Sequence, residues 1–384
     1  MPAFDDQEKV FAKAFGILQN AIAENAFPAA SIAVTQSNRL IALKGFGRVT
    51  KDGGAPLLAS LARKPALRLS KGGNGEVDVT TLFDLASVTK AVATTSAAAI
   101  LYERGQLELE APVTGVIPEF AEKSDPRREE VTFRMLLAHS SGLPAYEKLF
   151  LNAHTGDELV SGAFQTPLIA DPGTRAEYSD IGFILLGIAL ERLAGESLDV
   201  FCQRELFGPL GMANTTFNPP TEMREKIPAT ANDLTFRKRI IQGEVQDENA
   251  YMLGGVAGHA GLFSTAEDVA RFSHAMLNVG TPILRPETIA LFTRRETAPA
   301  GTSRALGWDT PSAPSQSGKY FGPRSYGHLG YTGTSLWIDP DRQLSVTLLT
   351  NRTWPDCQNQ AIKQVRPKFH DAVIEGLEVL PHGK

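Results

Sequence analysis

The residues with the clearest capacity for chemistry are Ser87 and Lys90, within Phe83-Asp84-Leu85-Ala86-Ser87-Val88-Thr89-Lys90. Three positions apart on a helix, the two side chains share one face, with about 5–6 Å between Cβ atoms. A serine hydroxyl is a weak nucleophile until a neighbour takes its proton or steadies the alkoxide. Lysine can do either, the more so if burial lowers its pKa toward neutrality. A helix starting at Ser87 would add partial positive charge where an oxyanion develops. No other serine in the chain has lysine three residues on. About one such pair is expected by chance in a chain of this size, so the motif gains weight only from its company.

Two further segments supply that company. In Glu177-Tyr178-Ser179-Asp180, a tyrosine stands just ahead of an apolar run. Its phenol, with a reference pKa of about 10, could share a proton with a facing ammonium and act first as base, then as acid. Packing is the ordinary alternative for a loop tyrosine. The segment Tyr326-Gly327-His328-Leu329-Gly330-Tyr331-Thr332-Gly333-Thr334-Ser335 places a glycine at every third position. Glycine weakens a strand and marks close approach of a ligand or another backbone. Such an edge could offer a backbone N–H to an oxyanion, with the N–H of Ser87 as second donor. A strand crossed tightly by another element would leave the same signature.

The elements that must position these groups follow from periodicity. Residues 7–24 read as an amphipathic helix, and Ala30–Thr35 and Leu40–Phe46 as a hairpin around Gln36-Ser37-Asn38-Arg39. Lys51–Val79 is rich in Gly, Lys, Ser and Ala and reads as a surface excursion. Helices are expected over Ser87–Leu107, over Ile181–Leu193 with Asp180 as N-cap and Gly195 past the end, and over Thr265–Leu277. The last of these opens with a capping-box phrase, Ser264-Thr265-Ala266-Glu267. Ser325–Ile338 reads as a strand, Asp339–Arg342 as a turn, Leu344–Thr350 as a strand, and 358–378 as a helix interrupted by Pro367. The implied fold class is α+β. One lobe is a sheet built from both chain ends (1–85 and 290–384), and a mostly helical lobe (86–289) is inserted between them.

The chain has 384 residues, 42% hydrophobic and 21% charged, with a net charge of −5. No long basic stripe is present, so nucleic acid and anionic membrane have no electrostatic support as partners. The acidic N-terminus lacks a basic-then-apolar leader, and two widely spaced cysteines, Cys202 and Cys357, suit free thiols. The cytoplasm is the expected location. No His-Glu-x-x-His, cysteine–histidine or Gly-x-Ser-x-Gly pattern occurs, which argues against zinc and lipase-type hydrolases.

Taken together, the three segments resemble the serine β-lactamase and penicillin-recognising enzyme superfamily, within it the class C-type branch with its family VIII carboxylesterases. Ser87 and Lys90 match its Ser-x-x-Lys motif, Tyr178-Ser179-Asp180 its Tyr-x-Asn motif, and His328-Leu329-Gly330 its Lys-Thr-Gly motif or the His-x-Gly variant. The likeness runs from about residue 10 to 378. It implies a β-lactamase/transpeptidase-like fold, an antiparallel sheet flanked by helices with the active site between the lobes. It also implies Ser87 as nucleophile, Lys90 and Tyr178 as proton carriers, and the Ser87 and Tyr331 N–H groups as oxyanion hole. Asp180, His328 and Gly330 fall at substrate-binding positions, and no metal or cofactor is implied. His328 replaces a lysine and Asp180 an asparagine; a neutral imidazole holds a carboxylate poorly and an ionised aspartate cannot donate. The expected activity is hydrolysis of a small ester or amide, foremost as a carboxylesterase. β-Lactamase, D-amino-acid peptidase or amidase, and a non-catalytic sensor are the alternatives, with the oligomeric state open. His139 is expected to brace a turn, His259 to line the site or pack among glycines, and Asp247-Glu248-Asn249 to touch substrate or cap a helix. Trp337 and Trp354 are expected in the core.

Overall fold

Strands from the two ends of the chain pair with one another. In the computed structural model, which describes residues 4–49, 75–121, 125–277 and 283–378, β1 (Ala29–Gln36) and β2 (Arg39–Gly47) form the expected hairpin. Its turn residues Ser37 and Asn38 both have positive φ, 45° and 65°, which suits the twist of a two-residue turn. β3 (Tyr326–Leu329), β4 (Ser335–Asp339) and β5 (Leu344–Thr350) complete a five-stranded sheet of order β2-β1-β5-β4-β3. Every neighbouring pair is antiparallel, with Ile32 opposite Leu348 at the β1–β5 seam. The sheet therefore closes the chain on itself.

Both faces of this sheet are covered, and the period of two assigns the residues. Ala30, Ile32 and Val34 pack with Phe15 and Phe369, from α1 (Ala12–Ala23) and α5 (Ile362–Glu378). Ala29 and Ala33 point the other way, into the large core that contains Val269 and Phe272 of α4 (Ala266–Leu277). Helix α4 thus lies on the sheet although it falls within 86–289. Thr265 caps it, its Oγ1 accepting from the Asp268 N–H at 3.2 Å.

Several boundaries differ from expectation for local reasons. The first helix is broken at Phe11 between Gln7–Val10 and α1. The helix after Ser87 begins at Val88, runs as a π-helical stretch over Lys90–Thr95, and becomes α2 (Ser96–Glu103). π-Turns inside helices recur at functional sites. The helix carrying the apolar run, α3 (Asp180–Ala194), is capped by Ser179 and not by Asp180: Ser179 Oγ accepts from Gly182 N at 3.0 Å. Gly195 ends it at φ 72°. Ser325–Ile338 is two strands, because the chain reverses at 330–334, where Gly330 N donates to Thr334 O at 2.8 Å. Helix α5 runs straight through Pro367. The stretch expected as a surface excursion lies, up to residue 74, outside the described residues. No helix among the described residues is long and apolar enough to cross a membrane. Both cysteines are free, and Trp337 and Trp354 are buried.

Candidate active site

Ser87 sits at a junction that three elements build. The short strand Phe83–Asp84 pairs with Leu262–Ser264, and the backbone then turns through Ala86, whose φ is 47°. That left-handed conformation is strained for alanine. Asp84 holds it, its Oδ1 accepting from Ala86 N at 2.8 Å while Oδ2 accepts from Gln246 N at 2.7 Å. The turn leaves Ser87 partly open between buried neighbours. Burial, with the nearby Asp247 carboxylate, raises the Asp84 pKa to about 6 against its two N–H bonds.

The first turn of the helix, closed by Lys90 N donating to Ser87 O at 3.0 Å, then brings Lys90 back to Ser87. Lys90 Nζ donates to Ser87 Oγ at 3.0 Å and to the carbonyl of His259 at 2.8 Å, and forms an ion pair with Asp180 Oδ1 at 2.6 Å. The lysine is fully buried. Burial by itself pushes its pKa down, but the Asp180 carboxylate and then Tyr178 more than offset this, leaving it above the ordinary lysine value. The expected descent toward neutrality does not occur; the resting group is an ammonium.

Tyr178 arrives from the loop before α3, brought by a second strained residue. His139, at φ 56°, accepts from Ser179 N through Nδ1 at 3.0 Å, and its carbonyl accepts from Glu177 N at 2.8 Å. Its ring lies 4.7 Å from that of Tyr178, centroid to centroid. Burial, with Arg304 and Lys90 nearby, keeps His139 neutral. The turn-bracing role expected of it is thus exerted on Tyr178. The Tyr178 ring lies 5.0 Å from Lys90 Nζ and 5.3 Å from the Arg304 guanidinium. Burial raises the phenol's pKa; Lys90 and Ser87 pull it down, and burial with the Asp180 charge prevails.

The third segment closes the site from the sheet. Thr332 Oγ1 donates to Asp84 O and Thr334 Oγ1 to Leu85 O, both at 2.8 Å, tying the 330–334 loop to the strand that leads into Ser87. A Cβ on Gly330 would lie 1.9 Å from Thr334 Oγ1 and 2.5 Å from Leu85 O. The glycine is there for close approach, as its spacing suggested. Arg366, from α5, donates to the carbonyls of Gly330, Gly333 and Thr334 at 2.9, 3.2 and 3.1 Å. The N–H groups of Ser87 and Tyr331 donate to no partner among the described residues. His328 Nδ1 bonds the Leu329 carbonyl at 2.8 Å, which fixes the proton there and leaves the buried Nε2 as an unpaired acceptor. Burial and the Lys90 charge drop its pKa to about 3, so this imidazole is uncharged.

These groups line one cavity of about 670 Å³. Ser87, Tyr178, Asp180, His328, Gly330 and Tyr331 all border it, and Lys90 lies behind Ser87. Asp180 borders the cavity and also faces Lys90. Asp247 both caps Glu248–Met252, accepting from Ala250 N, and pairs with His259 Nε2, each at 2.8 Å. Arg304, paired with Asp309 at 2.9 Å, borders the cavity and was not foreseen. Neither were Asp84, nor Tyr146 and Arg366, which also border the cavity: single residues in a short strand, a loop and a helix, they carry no spacing that sets them apart. No group of residues suited to hold a metal occurs among the described residues.

Comparison with known proteins gives a consistent picture. The Beta-lactamase family profile matches residues 15–365. An N-acetylmuramyl-L-alanine amidase of Bacillus subtilis (strain 168) is 34% identical over 358 residues, covering 85% of this chain and 77% of that one. Among solved structures, EstCE1, described as a hydrolase with promiscuous acyltransferase activity, superposes with a TM-score of 0.74 at 22% identity, covering 95% of this chain and 99% of its own. A Beta-Lactamase/D-Alanine Carboxypeptidase from Pseudomonas syringae gives 0.72 at 17% identity, covering 97% and 100%.

Proposed function

The chain belongs to the Beta-lactamase family and is a serine hydrolase, and from that premise we propose that it cleaves a small carboxylic ester through an acyl-enzyme on Ser87. The observation that carries the proposal is the 3.0 Å contact of Lys90 Nζ with Ser87 Oγ at the edge of a cavity that Tyr178 also lines. Ser87 attacks the carbonyl carbon as its proton leaves toward Lys90, and the developing oxyanion sits between the N–H groups of Ser87 and Tyr331. Donors of this kind contribute about 3–4 kcal/mol each. Tyr178 passes its proton to the leaving group and then activates the water that releases the acid. The ester preference rests on charge: His328 is neutral and Asp180 is engaged by Lys90, so the two positions that would grip a β-lactam carboxylate and amide do neither.

A second reading, an amidase or D-amino-acid peptidase, draws on the Bacillus relative and on Arg304, a cation at the cavity wall that an anionic substrate could meet. We place the protein in a reducing compartment, the cytoplasm, on its two free thiols. The division into a lobe of 1–85 with 290–384 and an inserted lobe of 86–289 is likewise our proposal.

Mass spectrometry after treatment with a fluorophosphonate, beside turnover of a panel of p-nitrophenyl esters and D-amino-acid anilides, tests the assignment. The adduct is expected on Ser87, and Ser87→Ala is expected to abolish turnover. Lys90→Ala and Tyr178→Phe should each slow it at least ~100-fold. Near-normal rates in the Ser87 variant would show that the nucleophile is another residue, and anilide turnover exceeding ester turnover would favour the amidase.

A further inference from the structure

Lys90 is not placed to take the serine proton unaided. An ammonium has three N–H donors and no acceptor, and three oxygens surround Nζ within 3.0 Å: Ser87 Oγ, His259 O and Asp180 Oδ1. A lysine so surrounded donates toward the serine. To accept the Ser87 proton it must first release one of its own. Of the other groups that meet Nζ, the His259 oxygen belongs to a peptide carbonyl, which is not a base near neutral pH, and the Tyr178 phenol holds its own proton, burial and the Asp180 charge keeping its pKa up. Asp180 Oδ1, 2.6 Å from Nζ, belongs to a carboxylate, which has a protonated form.

Resting on the assignment of Ser87 as nucleophile, we propose that Asp180 is the terminal acceptor of the serine proton, which reaches it through Lys90. As the Ser87 Oγ–carbonyl carbon bond forms, the hydroxyl proton moves to Nζ while Nζ passes a different proton to Asp180 Oδ1. Lysine stays an ammonium on balance, the carboxylate becomes a carboxylic acid, and the carbonyl electrons move to the oxyanion. When the intermediate collapses, the leaving oxygen takes the Tyr178 phenolic proton. In deacylation the phenolate takes a proton from the attacking water, and Asp180 returns its proton through Lys90 to the departing Ser87 oxygen, restoring the resting charges.

Three observations support the route. The Lys90–Asp180 contact is short, at 2.6 Å, and Lys90 is wholly shielded. Asp180 Oδ1 is itself buried, so a proton passed to it from Lys90 is held there and not lost to solvent. Its negative charge also opposes ionisation of Tyr178, which fits the phenol to be the acid and not the first base. Acting through Lys90, Asp180 is a positioning residue in the proton path. Other charged or titratable groups face this pair: Tyr178 from the loop before α3, Tyr146 from the 145–148 loop, Asp247 before Glu248–Met252, His328 from β3 and Arg304 from the 304–309 loop. They are unchanged in the test below.

The test is the acylation burst with a p-nitrophenyl ester between pH 6 and pH 10, in wild type, Asp180→Asn and Asp180→Glu. At pH 7 the asparagine variant is expected to acylate at least ~100-fold more slowly. Its deficit should shrink as pH rises, because a buried Lys90 without its counter-charge yields a neutral amine that takes the proton directly. The glutamate variant should recover part of the rate. A proton inventory of wild-type acylation in H₂O–D₂O mixtures should be curved, since two protons move together. A deficit below threefold at pH 7, a deficit equal at every pH, or a linear wild-type inventory overturns the relay. The inventory needs no variant to fold. Loss of the fluorophosphonate adduct from wild-type Ser87 would overturn the nucleophile assignment instead, so the two failures are told apart.

Discussion

Replacing Asp84 by asparagine should change the way stability depends on pH, and the structure sets the size of the effect. Asp84 is 1% exposed, and its pKa stands at about 6 instead of the ordinary 3.8. Because the folded pKa is the higher one, the folded chain binds the proton more tightly than the unfolded chain. The group's contribution is fully present below pH ~4 and is lost as pH climbs through ~6. A displacement of about two units is worth roughly 3 kcal/mol. Asparagine carries no charge at any pH. The difference in unfolding free energy, variant minus wild type, should therefore be about 3 kcal/mol more favourable to the variant at pH 8 than at pH 4. A constant cost of about 1 kcal/mol accompanies this, because one amide oxygen replaces the two carboxylate oxygens that accept from Ala86 N and Gln246 N. Urea titrations of both proteins at pH 4, 6 and 8 read the quantity directly, since groups common to the two largely cancel. A difference that is the same at all three pH values would show that Asp84 is ionised throughout and would refute the reasoning. The variant should also lose activity at every pH, because the strained Ala86 turn that presents Ser87 is held less firmly.

Two other outcomes follow from the same geometry. Arg366→Met should lower kcat by 10²–10³, the scale of a misplaced oxyanion donor, while KM moves little. Its guanidinium holds three carbonyls of the loop bearing Tyr331, and wild-type kcat in the variant would show that the loop holds its shape without it. Nitrocefin should be turned over far more slowly than a short-chain p-nitrophenyl ester, and comparable rates would contradict the argument from His328 and Asp180.

The sequence announced the chemistry better than it announced the supports. Ser87, Lys90 and Tyr178 were legible because their spacing and order form a pattern, and the structure puts Ser87 and Tyr178 on one cavity with Lys90 bonded to Ser87 behind it. The sheet was legible for a similar reason: β1, β2 and β5 are short, strongly β-prone runs bounded by turn residues. The 330–334 reversal was hidden because its glycines serve two purposes at once. Gly333 turns the chain at φ 98°, whereas Gly330 lets the loop press against Leu85; a glycine in a string of letters does not say which.

Asp180 shows the same limit with larger consequences. Its position before an apolar helix reads equally well as a cap, and its place in the motif reads as a substrate contact. The first is not what the fold makes of it, and at the edge of the cavity the residue also meets Lys90. Ser179 already caps α3, which frees the carboxylate, and the turn after Ser87 places Lys90 within 2.6 Å of it. A buried lysine without a counter-charge would tend to be neutral and could take a proton directly; one beside a carboxylate is an ammonium that must hand a proton on. The identity of one residue, asparagine or aspartate, thereby decides whether the lysine of the serine–lysine pair works as a base or as a conduit. That distinction lies in the charge balance around Nζ, not in the spacing of the motif.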